Sequence, residues 1–237
     1  MKRILLCTVL FSTLLGCARQ GDGAGWISVR LLPRTAVAEA TKSDVADYAA
    51  LPAAEDFILE LRNHADVLAW TGRLSDWDDG TALTAGPYTM TARYGNVEEE
   101  GFGKPAFVGE ERFQVIAFET VPVLVKPKLA NAIVQVKTGP MFRKYFTGAT
   151  FRVTTASGAE FDIKEGAGLF VEAYRFTLTG TMTAADDRTV SFDRTFSGLE
   201  PATCYTVLLE AENVGGWKLN IAFDDTLEVI SIEEDLN

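Results

Sequence analysis

Leu83-Thr84-Ala85-Gly86-Pro87-Tyr88-Thr89-Met90-Thr91-Ala92-Arg93-Tyr94 is the stretch on which the fold turns. From Tyr88 onward, apolar and polar residues alternate with period two. Tyr88, Met90, Ala92 and Tyr94 therefore share one face, as in a strand with one side buried. Gly86-Pro87 supplies a turn just ahead of it. The same signature recurs on both sides. Trp26 to Leu31 alternates and stops at Pro33, because proline cannot donate to a ladder. Asp56 to Arg62 puts Phe57, Leu59 and Leu61 on one face and pairs with Val67 to Thr71 through the polar turn around His64. Phe107-Val108, Arg112 to Ala117 and Thr120 to Val125 follow, Pro122 marking the last as an edge or crossover.

Beyond Val125 the plan repeats. Strands are expected at Asn131 to Lys137, Thr150 to Thr155, Glu160 to Ile163, Tyr174 to Met182, Arg188 to Phe196, Thr203 to Glu212, Gly216 to Phe223 and Thr226 to Ile232, with one helical turn at Met141 to Phe146. Residues 34–54 and Asn96 to Lys104 read as loops, the first with a helical turn near Ser43 to Ala50. Short strands every 8 to 12 residues, with no amphipathic helix beyond two turns, specify an all-β sandwich architecture. A faint echo between Leu83-x-x-Gly86-x-Tyr88 and Leu199-Glu200-Pro201 before Tyr205 favours two similar sandwiches. Tyr88 and Tyr205 are each expected to turn a corner, ring buried and hydroxyl bonded to backbone.

The amino end has a different character. Lys2 and Arg3 precede an apolar run, Ile4 to Leu15, and then Gly16-Cys17. This is the pattern of a lipoprotein signal: a charged start, a short apolar stretch, a small residue at the cut and a cysteine to carry diacylglycerol. The run is too short to span a bilayer, which takes about 20 residues. Residues 1–16 are thus expected to be removed, 17–24 to form a lipidated tether, 25–124 one sandwich and 125–237 another. The expected location is the outer membrane, held through acylated Cys17.

Loss of Lys2 and Arg3 leaves 20 basic against 33 acidic residues, a net charge of −13. Such a chain repels nucleic acid and anionic head groups. Of three cysteines, Cys7 leaves with the signal and Cys17 carries lipid, so Cys204 remains alone and no internal disulfide can form. Stability must come from apolar burial, which a 47% hydrophobic chain with 15 Phe can supply. Cys204, in the strand-like Thr203 to Val207, reads as a small buried hydrophobe. The only histidine, His64, stands in a polar turn, so no Cys/His pair is expected.

Asp76-Trp77-Asp78-Asp79-Gly80 gathers three carboxylates in one loop, a hard-oxygen set of the kind calcium takes, although the spacing is not that of an EF-hand. Asp76, Asp78 and Asp79 also suit a plain acidic turn, as do Asp186-Asp187 and Asp224-Asp225. Trp77 and Phe102 lie in expected loops, where their rings could stack on a sugar, whereas Trp26, Trp70 and Trp217 belong in strands and core. There is no nucleophile elbow, phosphate loop or zinc spacing. Neither an enzyme nor a cofactor is expected.

The cysteine-bearing signal, Gly25 to Val29, Leu83 to Ala92, Phe107 to Val115, Lys128-Leu129-Ala130-Asn131, Phe142-Arg143-Lys144-Tyr145-Phe146 and Asp224-Asp225-Thr226 together resemble a Bacteroidales lipoprotein family classed as a domain of unknown function. The resemblance implies tandem immunoglobulin-like or transthyretin-like sandwiches in the cell envelope. The layout also looks like that of fimbrillins, whose lipidated two-sandwich subunits assemble into fimbriae, and implies a structural or adhesive role. Surface-exported lipoproteins of that phylum tend to carry acids just after the cysteine. Here Ala18-Arg19-Gln20-Gly21-Asp22 follows, leaving periplasmic and surface faces both open. The alternative to such a role is a carbohydrate- or ligand-binding accessory lipoprotein, with a protein or glycan as partner. Assembly has its own opening: a first strand, Trp26 to Leu32, followed by a loop with Arg34 in reach of a protease, could be detached and replaced by a neighbour's strand.

Overall fold

The computed structural model describes residues 23–34, 44–213, 217–223 and 226–230, with the side chains of 213, 217, 218 and 226–230 excepted. Cys17, Asp224-Asp225, residues 35–43 and the Trp217 ring lie outside it. The first half contains β1 (Ala24–Leu31), β2 (Ile58–Asn63), β3 (Leu68–Arg73), β4 (Leu83–Thr84), β5 (Gly86–Tyr94), β6 (Gly101–Phe102), β7 (Phe107–Val115), β8 (Thr120–Val125) and β9 (Lys128–Leu129). The second contains β10 (Asn131–Thr138), α1 (Pro140–Tyr145), β11 (Phe146–Thr155), β12 (Glu160–Ile163), β13 (Leu169–Glu172), β14 (Arg175–Ala184), β15 (Thr189–Ser197), β16 (Cys204–Asn213), β17 (Trp217–Phe223) and β18 (Thr226–Ile230).

These strands form four sheets, ordered β4-β1-β8, β3-β2-β5-β7-β9, β18-β17-β16-β10-β13-β6 and β12-β11-β14-β15. The protein is an all-β pair of sandwiches. Alternation produces the layers: Phe57, Leu59, Leu61, Tyr88, Met90 and Ala92 all point into the first core. Ala132, Val134, Val136, Val153, Leu178 and Val207 fill the second.

The internal duplication is real, but its phase differs from the echo read in the sequence. In the first half β1 lies between antiparallel β4 and parallel β8, while β2 lies between β3 and β5, which pairs on with β7. In the second, β10 lies between antiparallel β13 and parallel β16, while β11 lies between β12 and β14, which pairs on with β15. Seven strands are repeated in one order. Tyr88, on β5, therefore corresponds to a position on β14, not to Tyr205, which sits on the counterpart of β8. The two stretches resemble each other because both lead into strands, although their Leu-to-Tyr spacings are five and six residues. Tyr205 does form its corner, its hydroxyl accepting the Glu200 amide at 2.9 Å. Tyr88 instead stacks on Phe113, and burial pushes its hydroxyl pKa up.

The two sandwiches are packed together, not strung on a linker. β6, expected as part of a polar loop, pairs with β13 of the second sandwich, and the Glu100 carboxylate beside it accepts from Ser157 Oγ at 2.7 Å and the Glu172 amide at 2.8 Å. β9 still pairs with β7. Asn131, fully buried, takes the Ala106 amide on its side chain and the Ala202 amide on its backbone. Ile133, Phe170 and Cys204, all from the second sandwich, lie in the first core cluster. Tyr48 crosses the same joint, its hydroxyl 3.4 Å from Cys204 Sγ. That tyrosine follows a 3₁₀ turn, Val45–Asp47, capped by Asp44 inside the expected loop. Arg34 is exposed, but its amide donates to the Pro127 carbonyl at 2.7 Å, so the chain leaves β1 tied down. Among the described residues no helix is long and apolar enough to cross a membrane.

Candidate functional site

The residues singled out in the Asp76 loop have local work. Asp78 Oδ1 accepts the Gly80 amide at 2.8 Å and Asp76 Oδ1 accepts the Ser75 hydroxyl, so two of the three carboxylates serve their own turn. Among the described residues no three of His, Cys, Asp and Glu come together in a way that could hold a metal. Trp77 is half-buried, its ring edge-on to Trp70 at 5.0 Å, and both pack on the first core. Trp26 is likewise only half-buried. Phe102 is exposed, edge-on to Phe161 at 6.3 Å beside the joint. Trp77 thus packs on the first core, while Phe102 stands exposed beside the joint.

What the sequence did not announce is a cleft of about 950 Å³ at the far end of the second sandwich. It forms because β12 is short. Its four residues cover Phe151 to Thr154 of β11, whereas β11 begins at Phe146, paired on its other side with β14. Phe146 to Thr150 thus face the cleft with no described strand on that edge. The residues there are small and polar, Thr147-Gly148-Ala149-Thr150, and all four are exposed. A sheet edge of this kind presents unpaired backbone N–H and C=O groups to whatever arrives.

The walls come from the connection between β10 and β11. Gly139 precedes the helix, and a Cβ there would displace the Glu210 carboxylate from its place. Pro140 starts α1, where its missing N–H costs nothing. Glu210 accepts the Phe142 amide at 2.8 Å and holds the helix start to β16. Phe142 is then driven inward, 4.7 Å from Phe146 and 6.2 Å from Phe151, and these three rings make an apolar floor.

Two ion-pair clusters rim the opening. Glu165 accepts from the Thr138 amide and hydroxyl, both at 2.9 Å, and from Arg143 at 3.1 Å. Those bonds, the Thr138 amide foremost, hold its carboxyl below the ordinary range against a smaller desolvation effect. Arg152 reaches Asp162 at 2.8 Å and Glu160 at 3.1 Å, and the Asp162 bond leads in raising its pKa further. Thr150, Thr179 and Thr181 line the sheet face between them. The site offers hydrogen bonds, a strand edge and an aromatic floor, the equipment of a binding surface for an extended or polyhydroxylated ligand.

A family profile described as a domain of unknown function, DUF4493, matches residues 23–237. No curated protein matches the chain. Among solved structures, it is similar to a candidate cell adhesion protein from Bacteroides ovatus, at 12% identity over 90% of this chain and 100% of that one, TM-score 0.45. It is similar to candidate polysaccharide binding proteins from Bacteroides thetaiotaomicron, at 10% identity over 88% and 99%, TM-score 0.46. The fimbrial anchor protein Mfa2 from Porphyromonas gingivalis gives 10% identity over 86% and 98%, TM-score 0.44.

Proposed function

The chain belongs to the DUF4493 family, and from that premise we propose that it is a lipoprotein of the bacterial outer membrane, held by acylated Cys17, with a structural or adhesive role. One observation carries the reading: the chain enters the fold at one extreme of the first sandwich, and the cleft opens at the opposite extreme of the second. β1 and β8 both run from the entry toward the joint, and β10 runs from the joint to the cleft. Each 8-residue strand advances about 26 Å, and the shared β6–β13 ladder keeps the two units together. A body of this form carries a docking surface away from its anchor. The occupant we favour is an extended segment of a partner protein, adding a strand to Phe146–Thr150 while its side chains meet Phe142 and Phe146. A glycan is the second reading, favoured by the hydroxyls of Thr150, Thr179 and Thr181 and the guanidinium of Arg152 around the same floor.

The test is made in cells. An alkyne-palmitate label should enter the wild-type protein and be absent from Cys17→Ala, and a photo-crosslinking residue at Ala149 should yield a discrete protein adduct that the same residue at Thr195, on the outlying β15, does not. An unlabelled wild type would overturn the anchor, and equal adducts from both positions would overturn the cleft as the docking surface.

A further inference from the structure

The pole at which the chain enters carries an apolar tip. Two turns meet there, because Asn63 of β2 lies opposite Tyr88, Tyr88 opposite Phe113, and Gly86 opposite Val115. One turn links β7 to β8, closed by the Glu119 amide on the Ile116 carbonyl. Phe118 is its third residue and has φ +65°, a left-handed conformation that such turns normally assign to glycine. Its side chain is 82% exposed, more than any other large apolar side chain among the described residues, and Ile116 is 45% exposed. The other turn links β2 to β3 and presents Val67, 58% exposed, and Leu68, 45% exposed. β2 and β3 lie two and three strand positions from β7, roughly 10 and 14 Å. A bulky ring held out of water's reach by nothing, on a backbone that disfavours it, calls for an occupant on the other side.

The path of the chain identifies that occupant. The Phe118 amide donates to the Ala24 carbonyl at 2.8 Å, and the Phe118 ring lies against Gly23, where a Cβ would come 3.2 Å from it. Residue 17 is six residues upstream of Gly23, so the Cys17 backbone can stand no more than about 22 Å from Gly23. We propose that Phe118, Ile116, Val67 and Leu68 seat in the interfacial layer of the bilayer that anchors Cys17, which deepens the anchor reading above and rests on it. Few charges oppose the contact: Asp66 is paired with Arg62 at 3.7 Å, leaving Glu119 as the other acid of the two turns. A lipid anchor alone lets the body swivel. An apolar tip buried a few ångströms deep fixes the axis of the sandwiches and keeps their negative charge off the head groups.

The experiment uses the acylated full chain reconstituted in phosphatidylethanolamine–phosphatidylglycerol vesicles, in a Cys204→Ala background with an environment-sensitive nitrobenzoxadiazole dye on Phe118→Cys or, at the joint end, on Val108→Cys. The dye at 118 should shift to the blue and lose intensity to spin-labelled lipid, while the dye at 108 should do neither. Palmitate labelling at Cys17 with a dye at 118 that reports water overturns this inference and leaves the anchor standing. Absence of the label overturns both. Insertion of both positions alike also refutes an upright seat.

Discussion

Phe170→Ala probes whether the two sandwiches are one thermodynamic body. Phe170 is fully buried on β13, a strand of the second sandwich, yet it packs within the first core cluster and sits opposite Gly101 in the ladder that joins the halves. Truncation to alanine removes roughly 150 Å² of apolar surface from the joint, worth about 4 kcal/mol at 25 cal/mol per Å². Measured losses for buried Phe→Ala fall at about 3–5 kcal/mol, the cavity left behind included. For a cooperative unit of this length each kcal/mol moves Tm by about 2–4 °C, so a fall of roughly 8–16 °C is expected. Differential scanning calorimetry of the wild type should show one transition, because separating the halves would expose Ile133, Phe170 and Cys204 together. The variant should melt lower and more broadly. A wild type that already melts in two well-separated steps, or a variant whose Tm falls by less than about 2 °C, would refute the reasoning.

Glu165→Gln should lower Tm at pH 7 by roughly 1–4 °C, the value of about 0.5–1 kcal/mol for a charge-assisted bond on a partly exposed side chain. Because the folded carboxyl titrates below its unfolded value, this stability is present above about pH 4.3 and lost as pH falls through the folded pKa, so wild type and variant should converge in acid; a gap that persists at pH 2.5 would count against the assignment. Phe118→Gly should raise Tm by about 1–4 °C in detergent, since a bulky residue in the left-handed region costs about 1–2 kcal/mol, glycine's extra chain entropy returns part of it, and an exposed ring has little burial to lose; a lower Tm would show that Phe118 supports the fold. Pro122→Val should promote self-association. The Trp26 amide on the Glu119 carbonyl and the Leu32 amide on the Val125 carbonyl bracket a parallel ladder in which odd-numbered residues of β8 face β1, so Pro122 faces the outer edge and withholds an N–H there; a variant that sediments as a monomer at every concentration would dismiss this.

Period-two alternation made most strands legible. Thr120 to Val125 and Glu160 to Ile163 begin and end where the residues indicated, and Phe57, Leu59 and Leu61 share the buried face that their spacing required. What escaped had no contrast to read. Leu169-Phe170-Val171 is apolar on consecutive positions because Leu169 and Val171 fill the second core while Phe170 fills the first. Gly101-Phe102 is too short to alternate, and its pairing is dictated by a partner 67 residues away, Leu169 opposite Phe102. Ala85-Gly86 hides a change of sheet inside an apparently continuous strand: Leu83 joins β1 while Met90 joins β2 and β7. The cleft is the extreme case. Thr147 to Ala149, ahead of the strand expected from Thr150, shows no alternation because all three residues are exposed, so the open part of β11 looks like a loop.

The repeat of seven strands turns that blind spot into a guide. Where the two halves agree, the residues serve packing; where they part, something other than folding has shaped the chain. In the first sandwich the β2–β3 hairpin runs nearly the length of β2, with Ile58 through Arg62 all paired, whereas its counterpart covers less than half of β11 and leaves the cleft. In the second sandwich β17 and β18 extend the sheet beyond β16, whereas β8, the strand in the same place, stops at an edge bearing a proline. Phe118 belongs to the connection leading into β8; its counterpart ahead of β16 is Ala202, which shares the left-handed backbone, φ +54°, and donates its amide to the Asn131 carbonyl as Phe118 does to Ala24, but carries no ring. Each departure lies at an end or an edge, while the shared ladders between them keep their order. Open cleft, proline-blocked edge and exposed phenylalanine can therefore be varied without dividing the fold, and variants at each should change binding, self-association or seating while melting remains a single transition.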